Sequence, residues 1–530
     1  MAPRQAHDDQ GIYALDVADL PDPLGPPGER HDVVIAANRL PVRLDGDGGW
    51  ALSPGGLVTA MTAVMEGRDA VWIGWDGGLG DAAESAPPAR FGDMALRSVS
   101  LSETDYADYY EGFSNGTLWP LYHNGLLSTR FRRSWWAAYR RVNEQFAKVA
   151  IETTEQDGTL WIHDYHLQLM PAFVREARPD IRIGLFLHTP FPPSQLLMRL
   201  PWREAITDGL LATDVIGFQT PTDARNFLSL THRMGRTEEV MPVDPVTEIT
   251  VEGRRVAVGS FPISVDVDRI DEMVRNPATR EAANAFRASL GSPKHLLLGV
   301  DRLDYTKGID ARLKAFEELL RDGTLDPAEV AFVQVATPSR DDVRGYSNTR
   351  TEIEQLVGSI NGNFAQLGRP VLHYLHQSLP FEDLVHLFLA ADVMLVTPFQ
   401  DGMNLVAKEY IACRSDGTGV LVLSEFAGTA VELHQALLCN PFDTAGMKRV
   451  IETALTLPVE EQRHRVRAMR THLWANTVHD WAEGLLLPGR YEFTTQATDD
   501  FCDVVYTAQG TLELLCDMTC VGITTESSVQ

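Results

Sequence analysis

Short apolar runs that alternate with helical segments constrain the fold of this chain more than any other feature. Two of these runs, DVVIAANRL (residues 32–40) and AVWIGW (residues 70–75), are typical of strands buried in a parallel sheet. A Gly-rich segment and the helical pattern LVTAMTAVM (residues 57–65) separate them. The first half of the chain therefore predicts a parallel α/β arrangement, with further strands at TLWIHDY, RIGLFLHTPFP, DVIGFQT and VAVGSFPISVD.

A second series of strands and helices begins at HLLLGVDRLDYTKG (residues 295–308) and continues with a predicted helix over residues 309–322. Two successive series predict two doubly wound, Rossmann-like domains that face a central cleft. Ligands of such folds bind at the carboxyl ends of the strands, so the cleft is the expected site. The later strands of the second series are expected at VAFVQVATPSR, VLHYLHQ, DVMLVTPFQDG, GVLVLSE and ALLCNPFD.

The boundaries of the domains follow from changes in composition along the 530 residues, a length that favours more than one core. We expect a helix and a linker over residues 273–294, and one final helix that ends near Leu487. The predicted segments are a disordered acidic leader (1–30), a first Rossmann-like domain (31–266), a second Rossmann-like domain with a final helix (267–487), and an atypical acidic tail that is weakly strand-like or disordered (488–530).

Charge and cysteine content exclude several classes of protein. The chain carries 46 Lys and Arg against 73 Asp and Glu, a formal charge of -27, which disfavours binding to nucleic acid or to anionic membrane. It contains no apolar stretch long enough for a transmembrane helix, and its start lacks the pattern of a signal peptide. Five cysteines without a CxxC pair favour a reducing compartment. We therefore expect a cytoplasmic protein.

Basic side chains follow several of the predicted strands. Arg302 and Lys307 lie between a strand and a helix, and Arg39 and Arg340 end two other strands. Because these strand ends meet at the cleft, the cations can converge on phosphate, which Arg binds in a bidentate manner. Solvated cations paired with neighbouring aspartates are the alternative for any one of them.

The segment TPFQDGMNLVAKEY predicts a second anion site. A strand is expected to end near Pro398, Asp401 and Gly402 to form a turn, and a helix to begin around Met403 or Asn404. Free N–H groups at that helix start can hold a diphosphate. Asp401 and Glu409 are eight residues apart, about two helical turns, so we expect both on the cleft side, where carboxylates accept sugar hydroxyls. An N-capping Asp and an ordinary helix Glu are the alternative.

The segment WIHDYHLQLMP contains His163, Asp164 and His166, but a metal site would lack a third ligand and the HxxxH spacing. We therefore predict structural histidines and no metal, and Asp164 is a candidate to accept a hydrogen bond from a sugar hydroxyl. His188 follows the next strand and is either a core histidine or a similar sugar contact.

Aromatic side chains stand in a polar setting within DYYEGFSNGTLWPLYH, which includes Tyr110 and Trp119, and Trp75 ends a strand. Sugar faces stack on such rings, and tyrosine hydroxyls reach phosphate groups. Packing in the core is the alternative, and for Trp75 the two explanations are equally weighted.

Taken together, the motifs resemble those of the trehalose-6-phosphate synthase family, retaining glycosyltransferases of the GT-B fold. The resemblance runs in order from about residue 33 to about residue 485 and is greatest to the actinobacterial stand-alone form. The leader and the tail do not share it. The resemblance implies that residues 31–266 form the acceptor-binding domain and residues 267–487 the nucleotide-sugar-binding domain, whose final helix crosses back to the first domain. The strings that carry the resemblance are NRLPV, SPGGL, YYEGFSNGTLWP, WIHDYHLQLMP, FLHTPFPP, GVDRLDYTKGI, ATPSR, INGNFAQLG, VTPFQDGMNLVAKEY and VLSEFAG.

The resemblance also implies a role for each candidate residue. Catalysis is assigned to Arg302, Lys307, His188, Asp164 and Asp401. The implied donor-binding residues, which hold the diphosphate, the ribose and the glucose, are Gly55, Gly56, Arg302, Lys307, Asp401, Gly402, Met403, Asn404, Leu405, Val406 and Glu409. The implied acceptor-binding residues are Arg39, Trp75, Tyr110, Trp119, Asp164 and Arg340.

The implied reaction moves glucose with retention from a nucleoside-diphosphate glucose to glucose 6-phosphate, without a cofactor. UDP-glucose and GDP-glucose both remain open as donors, and we expect a homo-oligomer. Two alternatives are kept: a related synthase that uses glycerol phosphate or a cyclitol phosphate as acceptor, and a catalytically silent regulatory subunit.

Overall fold

A computed structural model of the chain describes residues 29–44, 49–53, 56–65, 68–79, 87–92, 94–125, 129–238, 246–338, 344–486, 502–506 and 512–516. The chain forms two compact units, one up to residue 488 and one from residue 489 onward. Nearly all of the predicted leader lies outside the described residues.

The first half of the larger unit is built around a nine-stranded sheet with the strand order β10-β11-β9-β8-β7-β1-β4-β6-β5. Its strands are parallel except at the two edges, where β10 and β5 run antiparallel to their neighbours. β2 and β3 form a separate hairpin. The strands are β1 (His31–Arg39), β2 (Val42–Leu44), β3 (Trp50–Leu52), β4 (Ala70–Trp75), β5 (Arg90–Phe91), β6 (Met94–Ser98), β7 (Thr154–His163), β8 (Arg182–Phe186), β9 (Val215–Phe218), β10 (Val246–Val251) and β11 (Arg254–Ser260).

Helices cover both faces of this sheet, and a π-helix over Tyr106–Leu118 and a 3-10 turn over Tyr165–Leu167 interrupt the regular pattern. The α-helices are α1 (Gly56–Met65), α2 (Glu103–Asp105), α3 (Trp119–Tyr122), α4 (Arg133–Thr153), α5 (Met170–Ala177), α6 (Ser194–Leu197), α7 (Arg203–Leu211) and α8 (Pro221–Arg233).

The second half contains a six-stranded sheet in the order β14-β13-β12-β15-β16-β17, in which every pairing is parallel. Its strands are β12 (His295–Arg302), β13 (Val330–Thr337), β14 (Leu372–Leu375), β15 (Val393–Val396), β16 (Val420–Ser424) and β17 (Leu437–Cys439). The helices are α9 (Val267–Arg275), α10 (Pro277–Ser289), α11 (Ile309–Arg321), α12 (Arg344–Phe364), α13 (Phe381–Ala390), α14 (Leu405–Cys413), α15 (Thr444–Thr456), α16 (Val459–Ala475) and α17 (Val478–Leu486).

Burial explains why the apolar runs become strands. All residues of β4, β9, β15 and β16 are buried, as expected for strands covered on both faces by helices. Each predicted strand coincides with an observed one, and the predicted α/β class is confirmed. The division into domains at residue 266 stays a prediction.

Two predicted helices are broken in the structure. The single helix expected within residues 273–294 is divided between α9 and α10 at Asn276, because Pro277 has no N–H to continue the first helix. The final helix is divided between α16 and α17, where Thr477 Oγ1 and N both donate to Asp480, at 2.6 and 2.7 Å. Such a local side-chain bond stabilises a new helix start.

The smaller unit contains two antiparallel strands, β18 (Cys502–Tyr506) and β19 (Leu512–Cys516), in the tail that was predicted to be weakly strand-like or disordered. None of the helices that the structure describes is long and apolar enough to cross a membrane.

Candidate active site

The site lies where strand ends of the two sheets approach each other. Asn124 Nδ2 donates to Gln400 Oε1 at 3.0 Å, and Lys408 Nζ donates to the Ile263 carbonyl at 2.8 Å. These two bonds connect the half of the chain that contains the second sheet to the half that contains the first sheet. The carboxyl ends of β1, β7, β8, β12 and β15 therefore border one cleft.

Arg39 stands on an aromatic wall at the first sheet's side of the cleft. It ends β1 in register with Trp75, the last residue of β4. Its guanidinium carbon lies 4.4 Å from the Trp75 ring centroid and 5.9 Å from that of Tyr110. The Trp72 indole N–H donates to the Arg39 carbonyl at 3.0 Å, which fixes the backbone. The predicted set of Arg39, Trp75 and Tyr110 is thus brought together.

The π-helix extends the aromatic wall. Tyr106 and Tyr110 stack with their centroids 5.4 Å apart, and Tyr110 stacks in turn on His166 at 6.0 Å. A π-helix is rare and is frequently found at functional sites. Tyr106 and His166 were not among the predicted site residues, and the π-helical geometry has no simple signature in a sequence.

Trp119 lies at the junction of the two sides of the cleft. It begins α3 and is buried, and the Arg302 guanidinium carbon lies 5.6 Å from its ring centroid. Arg302 itself is exposed at the end of β12. A cation–π contact of this kind holds the guanidinium over the cleft.

A buried ion pair forms the floor of the second sheet's side. Lys307 Nζ lies 2.5 Å from Asp401 Oδ2, and Asn404 Nδ2 donates to the same oxygen at 3.1 Å. Burial alone raises the pKa of Asp401, but the charge and hydrogen bond of Lys307, together with the hydrogen bond from Asn404, hold that pKa below its usual value. An ammonium has three N–H donors, so Lys307 can hold Asp401 and still donate to an anionic ligand.

The loop that carries Asp401 fits closely against His188. A Cβ at Gly402 would lie only 2.1 Å from the His188 carbonyl oxygen, so only glycine allows this approach. Thr429 fixes the next residue, because its N and Oγ1 donate to the Met403 carbonyl at 3.0 and 2.6 Å.

Asn404, with a φ of 98°, is the N-cap of α14, where its side chain accepts the Ala407 N–H at 3.1 Å. A left-handed conformation at a non-glycine residue is strained and is typical of functional sites. The first-turn N–H groups at Leu405 and Val406 have no acceptor within the helix.

α14 begins at Leu405 with Asn404 as its N-cap, within one residue of the predicted start. Asp401 lies in the preceding loop, so the spacing along the helix does not decide whether it faces the same side as Glu409, and their shared position on the cleft side stays a prediction.

A pair of buried histidines stands behind the loop. His163, the last residue of β7, has its Nδ1 3.0 Å from Nε2 of His188, and the tautomers decide which ring donates. Burial lowers the pKa of His188 to about 3, and burial together with His188 lowers that of His163. Both rings are therefore neutral at pH 7. Because Nε2 of His188 is bonded to His163, Nδ1 is the nitrogen of His188 that remains for a ligand.

Asp164 adopts a φ of 70° directly after β7, and its Oδ1 accepts the His188 N–H at 3.3 Å. The residue predicted to bind a sugar hydroxyl thus positions His188 through this bond.

Among the described residues, no group of His, Cys, Asp and Glu side chains is arranged to hold a metal ion.

Sequence reasoning missed Trp481 of α17 entirely. Its ring packs against Trp161 at 5.1 Å, Phe186 at 5.3 Å and His188 at 6.2 Å. The last helix therefore packs against both rings of the histidine pair. No local pattern could have revealed this contact, because it joins residues about 300 positions apart.

Glu409 lies in the second turn of α14, within a narrow cavity of about 20 Å³ whose walls include Leu405, Ser264 and Arg269. Burial raises the pKa of Glu409 to about 7. Leu405 and Glu409, which the resemblance names separately as donor-binding residues, thus line the same cavity. Gly56 is the first residue of α1, whereas the predicted residues Gly55 and Arg340 lie outside the described residues.

The fold and the cleft define a GT-B glycosyltransferase. The chain belongs to glycosyltransferase family 20, whose sequence profile matches residues 31–487.

Curated and solved relatives agree with this assignment. The trehalose-6-phosphate synthase of Mycolicibacterium gilvum (strain PYR-GCK) is 50% identical over 472 residues, which cover 87% of this chain and 94% of the relative. A crystal structure of an α,α-trehalose-phosphate synthase (UDP-forming) from Burkholderia xenovorans, in complex with glucose-6-phosphate, is 35% identical with a TM-score of 0.78, and the match covers 86% of this chain and 99% of that one. A structure described as trehalose-6-phosphate from E. coli bound with UDP-2-fluoro glucose is 33% identical, also with a TM-score of 0.78, over 86% and 98% of the two chains.

Proposed function

We propose that the chain transfers glucose, with retention, from a nucleoside-diphosphate glucose to glucose 6-phosphate and so forms α,α-trehalose 6-phosphate. The observation that carries the proposal is the meeting of the Lys307–Asp401 pair with His188 in one cleft, in a chain of family 20. The solved relatives, with glucose-6-phosphate in one and a UDP-sugar analogue in the other, support both substrate classes.

The donor diphosphate would be held by Arg302, Lys307 and the N-terminus of α14. Two cations and a helix N-terminus give a diphosphate its charge-assisted hydrogen bonds. The loop from Asp401 to Asn404 would grip the donor glucose, with the neutral His188 as a hydrogen-bond partner for a sugar hydroxyl. Glu409 would hold the ribose in its cavity, beside Leu405. Val406 would lie beside the nucleotide, and Gly55 and Gly56 are sequence-based candidates for the approach to the donor phosphates.

The acceptor phosphate would bind to Arg39 and to the Tyr110 hydroxyl, and Arg340 is a sequence-based candidate for the same role. Trp75 supports the proposal because its ring holds the Arg39 guanidinium at 4.4 Å. Trp119 would line the pocket between the acceptor sugar and the donor diphosphate. Asp164 would accept hydrogen bonds from hydroxyl groups of the acceptor sugar.

The chemistry needs no enzyme nucleophile. As the bond from the anomeric carbon to the diphosphate breaks, positive charge grows on the sugar and negative charge on the leaving group. The departing diphosphate takes the acceptor's proton, and the acceptor oxygen attacks from the same face. Arg302 and Lys307 stabilise the leaving group, and the cleft orients both sugars.

Two alternatives have distinct signatures. A synthase for glycerol phosphate or a cyclitol phosphate would share the donor side and differ at Arg39, Tyr110 and Trp119. A silent regulatory subunit would bind the nucleotide sugar without turnover. The intact Lys307–Asp401 pair favours an active enzyme. UDP-glucose or GDP-glucose as preferred donor, a homo-oligomeric state and a cytoplasmic location remain our proposals.

Arg302→Ala tests the proposal. Loss of one charged donor to the leaving group should lower kcat by about 100-fold or more while the thermal midpoint stays unchanged. The matched control is Arg321→Ala, which removes an exposed arginine at the end of α11 and should leave turnover intact. Near-normal turnover in Arg302→Ala would contradict the assignment.

A further inference from the structure

A second cavity lies away from the cleft, at the C-terminal end of α14. It has a volume of about 550 Å³, and four arginines line it, namely Arg414, Arg463, Arg467 and Arg470. Among the described residues that line this cavity, Asp416 is the only carboxylate. In a chain with a formal charge of -27, such a concentration of positive charge needs a physical reason.

Two of these arginines have a structural reason. Arg414 Nη1 donates to the carbonyls of Phe388 and Leu389, both at 3.0 Å. Arg470 donates to the carbonyls of Ile411 and Ala412 near the end of α14. Cations at this position satisfy carbonyls that the helix leaves without partners.

The other two arginines, Arg463 and Arg467, make no bonds of this kind to helix-end carbonyls of the described residues. Arg463 and Arg467 are one helical turn apart on α16, and both are exposed. Arg463 pairs with Glu460 at 2.5 Å, but the Arg467 guanidinium makes no hydrogen bond or ion pair with any residue that the structure describes. Like charges at this spacing repel and destabilise a helix. Arg470, three residues further on, pairs with Asp271 at 3.4 Å, so Arg467 is the arginine on this face of α16 whose charge no described carboxylate balances.

The remaining lining is suited to a small polar ligand. The hydroxyl side chains of Ser415 and Thr471 and the indole of Trp474 complete the wall, and the Arg470 guanidinium stacks over Trp474 at 4.2 Å from its centroid. The volume falls within the range of small-molecule sites, roughly 300–1,000 Å³. Guanidinium groups bind phosphate in a bidentate manner, and an indole face packs on a sugar ring.

We propose that this cavity, the arginine pocket, binds a phosphorylated small molecule as a site separate from the active site. Arg463 and Arg467 supply the charge for its phosphate. The pocket and the donor loop lie at opposite ends of α14, which spans Leu405–Cys413, or about 13 Å at the usual helical rise.

Isothermal titration with fructose 1,6-bisphosphate as the probe tests the proposal. The background is the full chain carrying Arg39→Ala and Arg302→Ala, which removes cations of the active-site cleft. To this background we add either Arg463→Gln with Arg467→Gln, or the control pair Arg255→Gln with Arg449→Gln. The control removes the same charge from two exposed arginines elsewhere. Glucose serves as the uncharged probe.

We expect saturable binding of the bisphosphate, but not of glucose, in the background and in the control. The Arg463→Gln/Arg467→Gln variant should bind it at least about tenfold more weakly, as the loss of charged hydrogen bonds requires. Equal affinity in the two added pairs, or no binding in the background, would overturn the proposal. In the otherwise native chain, Arg463→Gln/Arg467→Gln should leave glucose transfer unchanged, so failure here is distinct from failure of the proposed function.

Discussion

Replacing Lys307 by Ala removes the partner of a carboxylate that is nearly enclosed. The Lys307 and Asp401 side chains are 11% and 15% exposed, with 2.5 Å between Nζ and Oδ2. At an effective dielectric constant of about 20, charges this close attract by roughly 7 kcal/mol, and their desolvation offsets part of that energy. Breaking such a pair costs about 3–5 kcal/mol, because the remaining charge stays buried.

The assay is thermal unfolding together with turnover. We expect Lys307→Ala to lower the unfolding midpoint by about 5 °C in a unit of this size, and to lower kcat by about 100-fold or more. Adding Asp401→Asn should recover most of the stability, because no buried charge is left, but none of the activity. The control Lys314→Ala breaks an exposed pair with Asp310 and should change stability by less than about 1 kcal/mol.

The pH dependence of the same pair has a definite sign. Because the pKa of Asp401 is lowered in the folded state, its contribution to the stability of the fold is present above the unfolded-state pKa of about 3.9 and is lost as the pH falls through the folded-state pKa.

Two results would refute this explanation of the ion pair. One is wild-type stability in Lys307→Ala, and the other is a double variant that is no more stable than Lys307→Ala.

Three further predictions concern the cleft. Gly402→Ala should abolish most activity and lower the unfolding midpoint, because its Cβ would lie 2.1 Å from the His188 carbonyl oxygen. The control Gly358→Ala, whose Cβ would meet open space, should do neither. Equal effects of the two substitutions would contradict the close approach. Arg39→Ala should raise KM for glucose 6-phosphate by about 10- to 100-fold in initial-rate assays and leave the donor KM unchanged; a matching rise in the donor KM would refute an acceptor role. In the native chain His188, with a pKa of about 3, binds its proton between pH 6.5 and pH 4 only when the chain unfolds, so acidification lowers thermal stability. His188→Gln should make this loss of stability smaller. An unchanged dependence of the unfolding midpoint on pH would contradict the buried neutral ring.

The strands were predictable because their signal is local. Runs such as AVWIGW are apolar at every position, and this composition is required where helices cover both faces of a sheet. Strand ends then bring Arg39 to Trp75 and Arg302 towards the cleft without further information. The two helix breaks were missed since a proline or a capping threonine competes with a continuous helical pattern, and the pattern alone does not show which prevails.

The contacts that complete the cleft depend on tertiary packing. Lys307 and Asp401 are 94 residues apart, and the sequence assigned each of them to a ligand rather than to the other. Trp481 reaches the histidine pair through a helix that the sequence predicted only as a crossing element. His163, predicted to be structural, bonds directly to the ring proposed to face the donor. Such pairings become visible only when the strand order is known.

A panel of donors, assayed with glucose 6-phosphate and followed by NMR of the product, tests the central claim most directly. We expect UDP-glucose or GDP-glucose to release its nucleoside diphosphate in step with formation of an α,α-linked disaccharide phosphate. A product with an inverted linkage, a preference for glycerol phosphate over glucose 6-phosphate, or binding of both donors without turnover would contradict it.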